Sequence, residues 1–235
     1  MRIIHYRSLL PVYLLLIAGF LGIAAGGSRA ITVWSENAPI NGRKTIVIDA
    51  GHGGVDGGAT SCTGVLESQF NLEIALKLRD FMHLLGIQTC MIRDTDCSVY
   101  TQGDTISQKK ISDLRERVRL VNSIENCVLI SIHQNHFSDS KYSGAQVFYS
   151  PTDGSKELSK RLQDCFQMTL NTGSSRQIKK ADGIYLMQHI RCPGALIECG
   201  FLSNPQEEYL LRSKAYQQKL CSVIGCTVST WLWGT

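Results

Sequence analysis

β-Branched runs and amphipathic helical segments alternate along the body of this 235-residue chain. That alternation predicts an α/β fold: a single domain with an open, mostly parallel sheet flanked by helices. Two further observations support it. The run Cys127-Val-Leu-Ile-Ser-Ile132 is apolar along almost its whole length, as a strand buried on both faces of a parallel sheet must be. Polar residues also collect where strands end, and in such sheets a site forms beyond the carboxyl edge.

The N-terminus comes first. Arg2, His5 and Arg7 precede a nearly charge-free stretch, Leu9 to Ala25, and Gly26-Gly27-Ser28-Arg29-Ala30 offers small residues of the kind a signal peptidase accepts. Seventeen apolar positions sit at the short end for a membrane span. Residues 1–30 are therefore read as a signal peptide or an N-terminal membrane anchor, 31–44 as a short linker and 45–235 as the catalytic domain. The protein is expected to be exported, to the outer face of the cytoplasmic membrane or beyond it.

Thr45-Ile-Val-Ile-Asp49 predicts a strand running into the glycine-rich Ala50-Gly51-His52-Gly53-Gly54. Phe70, Ile74, Leu78, Phe81 and Leu85 recur at helical steps and predict a helix over 68–85, ended by Gly86. A strand over 87–92 follows, then a polar stretch to 108 without periodicity. A helix over 111–124 is expected to turn Leu114, Val118 and Val121 inward. After the buried strand over 127–132 come a strand over 145–149, a helix over 157–170 and a polar loop over 171–182. Gly194-Ala195-Leu196-Ile197 leads to Glu198, and a last helix over 213–232 faces Tyr216, Leu220, Val223 and Ile224 inward.

Composition narrows the function classes. Hydrophobic residues make up 43% of the chain, which excludes a disordered or collagen-like protein. Of 24 Lys and Arg, three (Arg2, Arg7, Arg29) belong to the leader, so the body is nearly neutral against 20 acids. A nucleic-acid groove would leave a basic excess there, and none is present. Nine cysteines, an odd number with no C-x-x-C, do not read as a disulfide framework or a zinc ribbon. An exported protein rich in free thiols fits a host whose outer compartment is not strongly oxidising.

His52 follows the first strand, His133 the buried central strand and Glu198 the last, while Glu67 stands at the mouth of the first helix. Two histidines and a carboxylate gathered on one edge make a His₂Glu set of the kind that holds catalytic zinc, with a fourth acidic group free to move a proton. Each has a bland alternative. His52 could satisfy loop amides, Glu67 could complement a helix dipole, and His133 could be a core histidine. Glu198 sits among apolar neighbours, where an unpaired carboxylate is costly. His136, three residues past His133, reads as a surface group rather than a fourth ligand. Cys199 with His133 as base is a rival thiol site, but neighbouring strand residues point to opposite faces, so Glu198 and Cys199 compete for the cleft. From the residues alone, the reading stops at a metal hydrolase.

Four blocks then resemble one family. Ile46-Val-Ile-Asp-Ala-Gly-His-Gly-Gly-Val-Asp-Gly-Gly-Ala59 is similar to the opening motif of zinc-dependent N-acetylmuramoyl-L-alanine amidases of the type-3 class. Glu67 with Asn71-Leu72 resembles their second motif. Leu114 to Asn122 together with Ile130-Ser-Ile-His-Gln-Asn135 resembles the third, and Ala195-Leu-Ile-Glu-Cys-Gly-Phe-Leu-Ser-Asn-Pro205 the last. The resemblance implies one Zn²⁺ per chain on His52, Glu67 and His133, with Glu198 as the catalytic carboxylate. It implies hydrolysis of the amide between N-acetylmuramic acid and L-alanine in peptidoglycan. Ser143-Gly144-Ala145-Gln146, Gly183 to Gln188 and the apolar N-terminus without wall-binding repeats resemble the germination-specific branch acting on spore cortex. A vegetative wall amidase and a non-catalytic peptidoglycan-binding module on the same fold are the alternatives. Arg93, Arg117 and Asn135 are taken as substrate contacts, and Asp49 and Asp56 as residues that fix the glycine loop or a histidine tautomer. Partners are the glycan-peptide substrate, a membrane only through the N-terminal segment, and an unidentified accessory protein as an open alternative.

Overall fold

The computed structural model describes residues 44–234, so the leader and nearly all of the 31–44 linker lie outside the described residues. The elements run Thr45–Ala50 (β1), Glu67–Leu84 (α1), Thr89–Met91 (β2), Ile106–Asn122 (α2), Cys127–Asn135 (β3) and Gln146–Tyr149 (β4). They continue with Ser155–Thr169 (α3), Lys179–Lys180 (β5), Tyr185–His189 (α4), Gly194–Phe201 (β6), Pro205–Arg212 (α5) and Lys214–Trp233 (α6). The six strands form one sheet in the order β2-β1-β3-β6-β4-β5.

The β-branched runs build the middle of this sheet. β1 lies parallel to β3 from Thr45↔Cys127 to Ala50↔Ile132, and β3 lies parallel to β6 from Leu129↔Gly194 to His133↔Glu198. β2 adds a fourth parallel strand beside β1. β4 runs antiparallel to β6, and β5 pairs parallel with β4, so one edge of the mostly parallel sheet is reversed. Ile46, Ile48, Val128, Ile130, Ile132 and Ile197 pack on one side, under α1, α3 and α6. Val47, Leu129 and Leu196 pack on the other with Val121 of α2 and Leu186 and Met187 of α4. Each such buried side chain contributes roughly 1.5–3 kcal/mol over leaving it exposed. Phe81 of α1 lies against Gly225 of α6, where a Cβ would overlap its ring.

Two expectations need correction. α2 begins at Ile106, not 111, because Thr105 caps it in a capping box with Gln108. Its buried stripe is Ser112, Asp113, Arg117 and Val121, whereas Leu114 is 39% exposed. The charged pair faces inward because it meets Asp49 beneath the loop that follows β1. α5 is a helix the periodicity did not announce, although Asn204 caps it and Pro205 opens it in the ordinary way.

Candidate active site

The carboxyl ends of β1, β3 and β6 lie side by side in the sheet, which brings three distant segments of sequence to one place. β1 runs out into Gly51 and His52. His52 holds a left-handed backbone (φ 60°), unusual for a residue with a side chain. Its carbonyl accepts from Arg117 Nη2 at 2.7 Å, and a Gly53–Asp56 bridge closes the turn behind it. Gly51 permits the closest approach: a Cβ there would overlap the His133 ring. Gly58, at φ +70°, has the same relation to Glu67 Oε2 and His52 Cδ2, which an added Cβ would meet at 2.7 and 2.8 Å.

His52, Glu67 and His133 each turn one donor atom into a common space, and those atoms lie within 4.8 Å of one another. His52 Nε2 stands 3.3 Å from Glu67 Oε2, and His133 Nδ1 stands 3.0 Å from Glu67 Oε1. Ligand atoms around one tetrahedral zinc at about 2.1 Å would be about 3.4 Å apart. Glu67 opens α1, is 4% exposed, and accepts N–H bonds from Ala59 (3.0 Å), Gln134 (3.1 Å) and the Asn71 amide (3.2 Å). Asn71 is itself held by the Gln134 amide and donates to Gly51 O, so the carboxylate is fixed from three sides. His52 Nδ1 faces Asp56 Oδ2 at 2.8 Å, which orients the ring and leaves Nε2 for the cluster. Asp56 also pairs with Lys110 at 2.7 Å.

The electrostatics follow from this crowding. Burial disfavours a charged His52, but its bonds to Asp56 and Glu67 outweigh that and hold it up at about 9. Burial likewise works against the Glu67 charge, and the two imidazoles prevail, holding it well below the usual carboxylate range. Two imidazole nitrogens and a carboxylate turned into one space make a donor set that could hold a metal ion.

Glu198 lies directly across from His133 in the β3–β6 register and feels the charges of His133, Glu67 and His52. One of its oxygens, Oε2, is buried with no hydrogen-bond partner among the described residues. Burial, reinforced by Glu67 and opposed by the histidines, pushes its carboxyl up to about 7. Just beyond it, Glu198 to Phe201 oppose His133 to Asn135, an extra residue that bends the strand. Cys199 is 1% exposed, bonds back to Ile197 O and packs in the core, with its thiol pushed well above its usual range by burial. The cleft therefore holds the carboxylate and not the thiol. His136 is exposed and outside the cluster, and Asn135 is half-buried two residues beyond His133.

Arg93 and Arg117 are not substrate contacts. Both are 2% exposed, and their guanidiniums are consumed by the protein. Arg93 donates to the carbonyls of Ala50, Gly51, Ser68 and Thr95, at 2.8 to 3.0 Å. Arg117 binds Asp49, Asp113 and the carbonyls of Ala50 and His52. They position the His52 loop from beneath. Asn71 and Gln134 stand within the resembled motifs but carry no role there, and Lys110 has no sequence signal; Asn71 lies one helical turn after Glu67.

Known proteins resemble this chain over most of the described residues. The family model described as N-acetylmuramoyl-L-alanine amidase matches residues 46–228. The germination-specific N-acetylmuramoyl-L-alanine amidase of Bacillus subtilis is 42% identical over 193 residues, 81% of this chain and 79% of its own length. Among solved structures, the CwlD amidase of Clostridioides difficile, in complex with the GerS lipoprotein, superposes with a TM-score of 0.78 at 38% identity. It covers 82% of this chain and all of that one. An N-acetylmuramoyl-L-alanine amidase from Clostridium difficile 630 gives 0.71 at 30% identity, over 82% of this chain and 98% of its own. An enzyme by this kinship, the chain belongs to the N-acetylmuramoyl-L-alanine amidase family.

Proposed function

We propose that this protein is a zinc-dependent peptidoglycan amidase that cuts the bond between the lactyl group of N-acetylmuramic acid and the first L-alanine of the stem peptide. The observation that carries the proposal is the gathering of one donor atom each from His52, Glu67 and His133 within 4.8 Å of one another, with Glu198 opposite His133 in the strand register. His52, Glu67 and His133 would hold the ion. A zinc ion supplies Lewis acidity, polarising a carbonyl and bringing the pKa of water towards about 7. Glu198 takes the proton from the attacking water and returns it to the alanine nitrogen as the amide bond breaks. Its buried, unpartnered oxygen is suited to both transfers, since no protein group competes for the proton. Asp56 keeps the His52 ring turned, and Asn135, half-buried two residues beyond His133, would contact the substrate.

The 42% identity to a germination-specific amidase and the likeness to CwlD support a role in spore cortex, with the enzyme exported to act there. That the CwlD structure contains a lipoprotein supports an accessory partner here as well. Digestion of purified peptidoglycan, with metal analysis of the same preparations, tests the reaction. The protein should free L-alanine amino termini and contain zinc. Glu198→Gln should keep the metal and lose about 10²–10⁴-fold in rate. Full activity in that variant, or active protein without zinc, would refute the mechanism.

A further inference from the structure

We infer that Cys127 and Cys192 form a redox-responsive thiol pair, placed to close into a disulfide joining β3 to the segment that enters β6. All nine cysteines are free thiols. The β3–β6 register pairs Leu129 with Gly194, and Leu129 N–H still bonds Pro193 O at 2.8 Å below it. Continued by two residues, that register sets Cys127 opposite Cys192. Adjacent strands lie about 4.7–4.9 Å apart, inside the Cα separation of about 4.4–6.8 Å that a disulfide requires.

The side chains agree with the backbone. Cys127 belongs to the core layer of Val47, Leu129 and Leu196, and Cys192 packs against that same layer. Cys127 accepts a hydrogen bond from the Cys192 thiol, which lowers the pKa of the first and raises that of the second. Reagents can reach them. A cavity of about 380 Å³ opens at this end of the sheet, lined by both cysteines with Lys44, Asn122 and Arg191. Cys127 is buried while Cys192 is half-buried, so Cys192 is the sulfur that meets a reagent first.

The oxidant required is a small-molecule disulfide, and the exchange balances. Cys192, the more exposed thiol, gives its proton to solvent as its sulfur attacks one sulfur of the external disulfide; that S–S bond breaks, and the expelled sulfur takes up a proton and leaves as one thiol. Cys127 then gives up its proton and attacks Cys192 Sγ, expelling the second thiol. Two protein thiols are oxidised by two electrons, and one external disulfide is reduced to two thiols. The same two strands carry His133 and Glu198 in register at their far ends. The closed bond would thus fix at one end the strand pair that presents the site at the other.

The test uses the full chain, folded, incubated with oxidised glutathione, quenched with N-ethylmaleimide and mapped by mass spectrometry after proteolysis. The expected result is a peptide joining Cys127 to Cys192, about 2 Da lighter than its two reduced halves. Thermal unfolding of the oxidised protein should shift up by about 5–10 °C, and Cys192→Ser should abolish both the linked peptide and the shift. Separate alkylation of the two cysteines, glutathione adducts that never resolve into the linked peptide, or a shift that survives in Cys192→Ser would each overturn the proposal. The wild-type peptide map decides the matter even if the variant folds poorly.

Discussion

Two buried charged clusters flank the loop that follows β1, and they are built to opposite rules. Below it, Arg117 is clamped between Asp49 and Asp113 while Arg93 donates to four carbonyls. Above it, His52 and His133 aim nitrogens at Glu67, and Glu198 keeps an oxygen with no partner among the described residues. The lower cluster is closed: a charge placed there has been matched by the protein itself. The upper is open at one group, Glu198, whose Oε2 has no hydrogen-bond partner among the described residues. Burial of charge alone does not mark a site, since both clusters have it; what distinguishes them is which groups are left to be completed.

The largest stability effect is expected from the closed cluster. Arg117→Met removes the cation from Asp49, which is 1% exposed, and strands a carboxylate in the core. Breaking a buried pair on one side costs about 3–5 kcal/mol, readable in denaturant unfolding. Addition of zinc should recover only what ligand binding contributes. The same cluster sets an acid limb. Burial works against the Asp49 charge, but Arg117, His133 and Ser131 together hold its pKa below the usual carboxylate value. A group depressed in the folded state contributes stability that is present above its unfolded pKa, about 3.9, and lost as pH falls through its folded value. Stability measured down the acid range should therefore fall below about pH 4 in the parent, and that Asp49 component should be missing in Arg117→Met. An unchanged acid profile would mean the cluster is not the closed unit described.

A smaller effect tests how far the open cluster depends on support. Asp56 touches His52 Nδ1 and not the donor atoms themselves. Asp56→Ala should weaken zinc affinity by about 10–100-fold, measured by titration against a chelator, without the loss of fold expected for Arg117→Met. Asp56→Asn keeps an acceptor for the imidazole N–H and should fall between parent and alanine. Equal affinity in all three would remove the orienting role.

How much of this was legible depended on the range of the cause. The central strands, and the meeting of His52, Glu67 and His133 at their ends, were legible because strand ends and glycine loops are local signals: Thr45 to Gly54 contains both the strand and the histidine that follows it. Arg93 and Arg117 were misread because a guanidinium on a polar segment looks solvent-facing until a partner 68 positions away, Asp49 for Arg117, comes underneath it. The inward face of α2 was missed for the same reason: Asp113 and Arg117 repeat at a helical interval, as Leu114 and Val118 do, and only tertiary pairing selects between the two stripes. The Cys127–Cys192 contact left no trace either, since it arises from strand register and not from any spacing of cysteines. α4 and β5 are too short to carry a period.

The smallest expected effect bears on the point where the two clusters meet the core. Glu198 and Cys199 are adjacent on β6, and alternation sends them to opposite sides. Cys199 lies in the layer of Ile197 and Leu202, beside Cys221, and its thiol bonds to Ile197 O at 3.8 Å. There it behaves as a small apolar filler, and burial keeps it protonated at any pH where the enzyme would work. Cys199→Ala should therefore leave kcat on peptidoglycan unchanged and lower stability by about 1 kcal/mol. A dead but folded, zinc-loaded variant would place chemistry on the wrong side of the strand and return the cleft to a thiol. The contrast with Glu198→Gln, one residue away, is what gives the measurement its force: within a single pleat, one side chain completes the open site and its neighbour only fills the core.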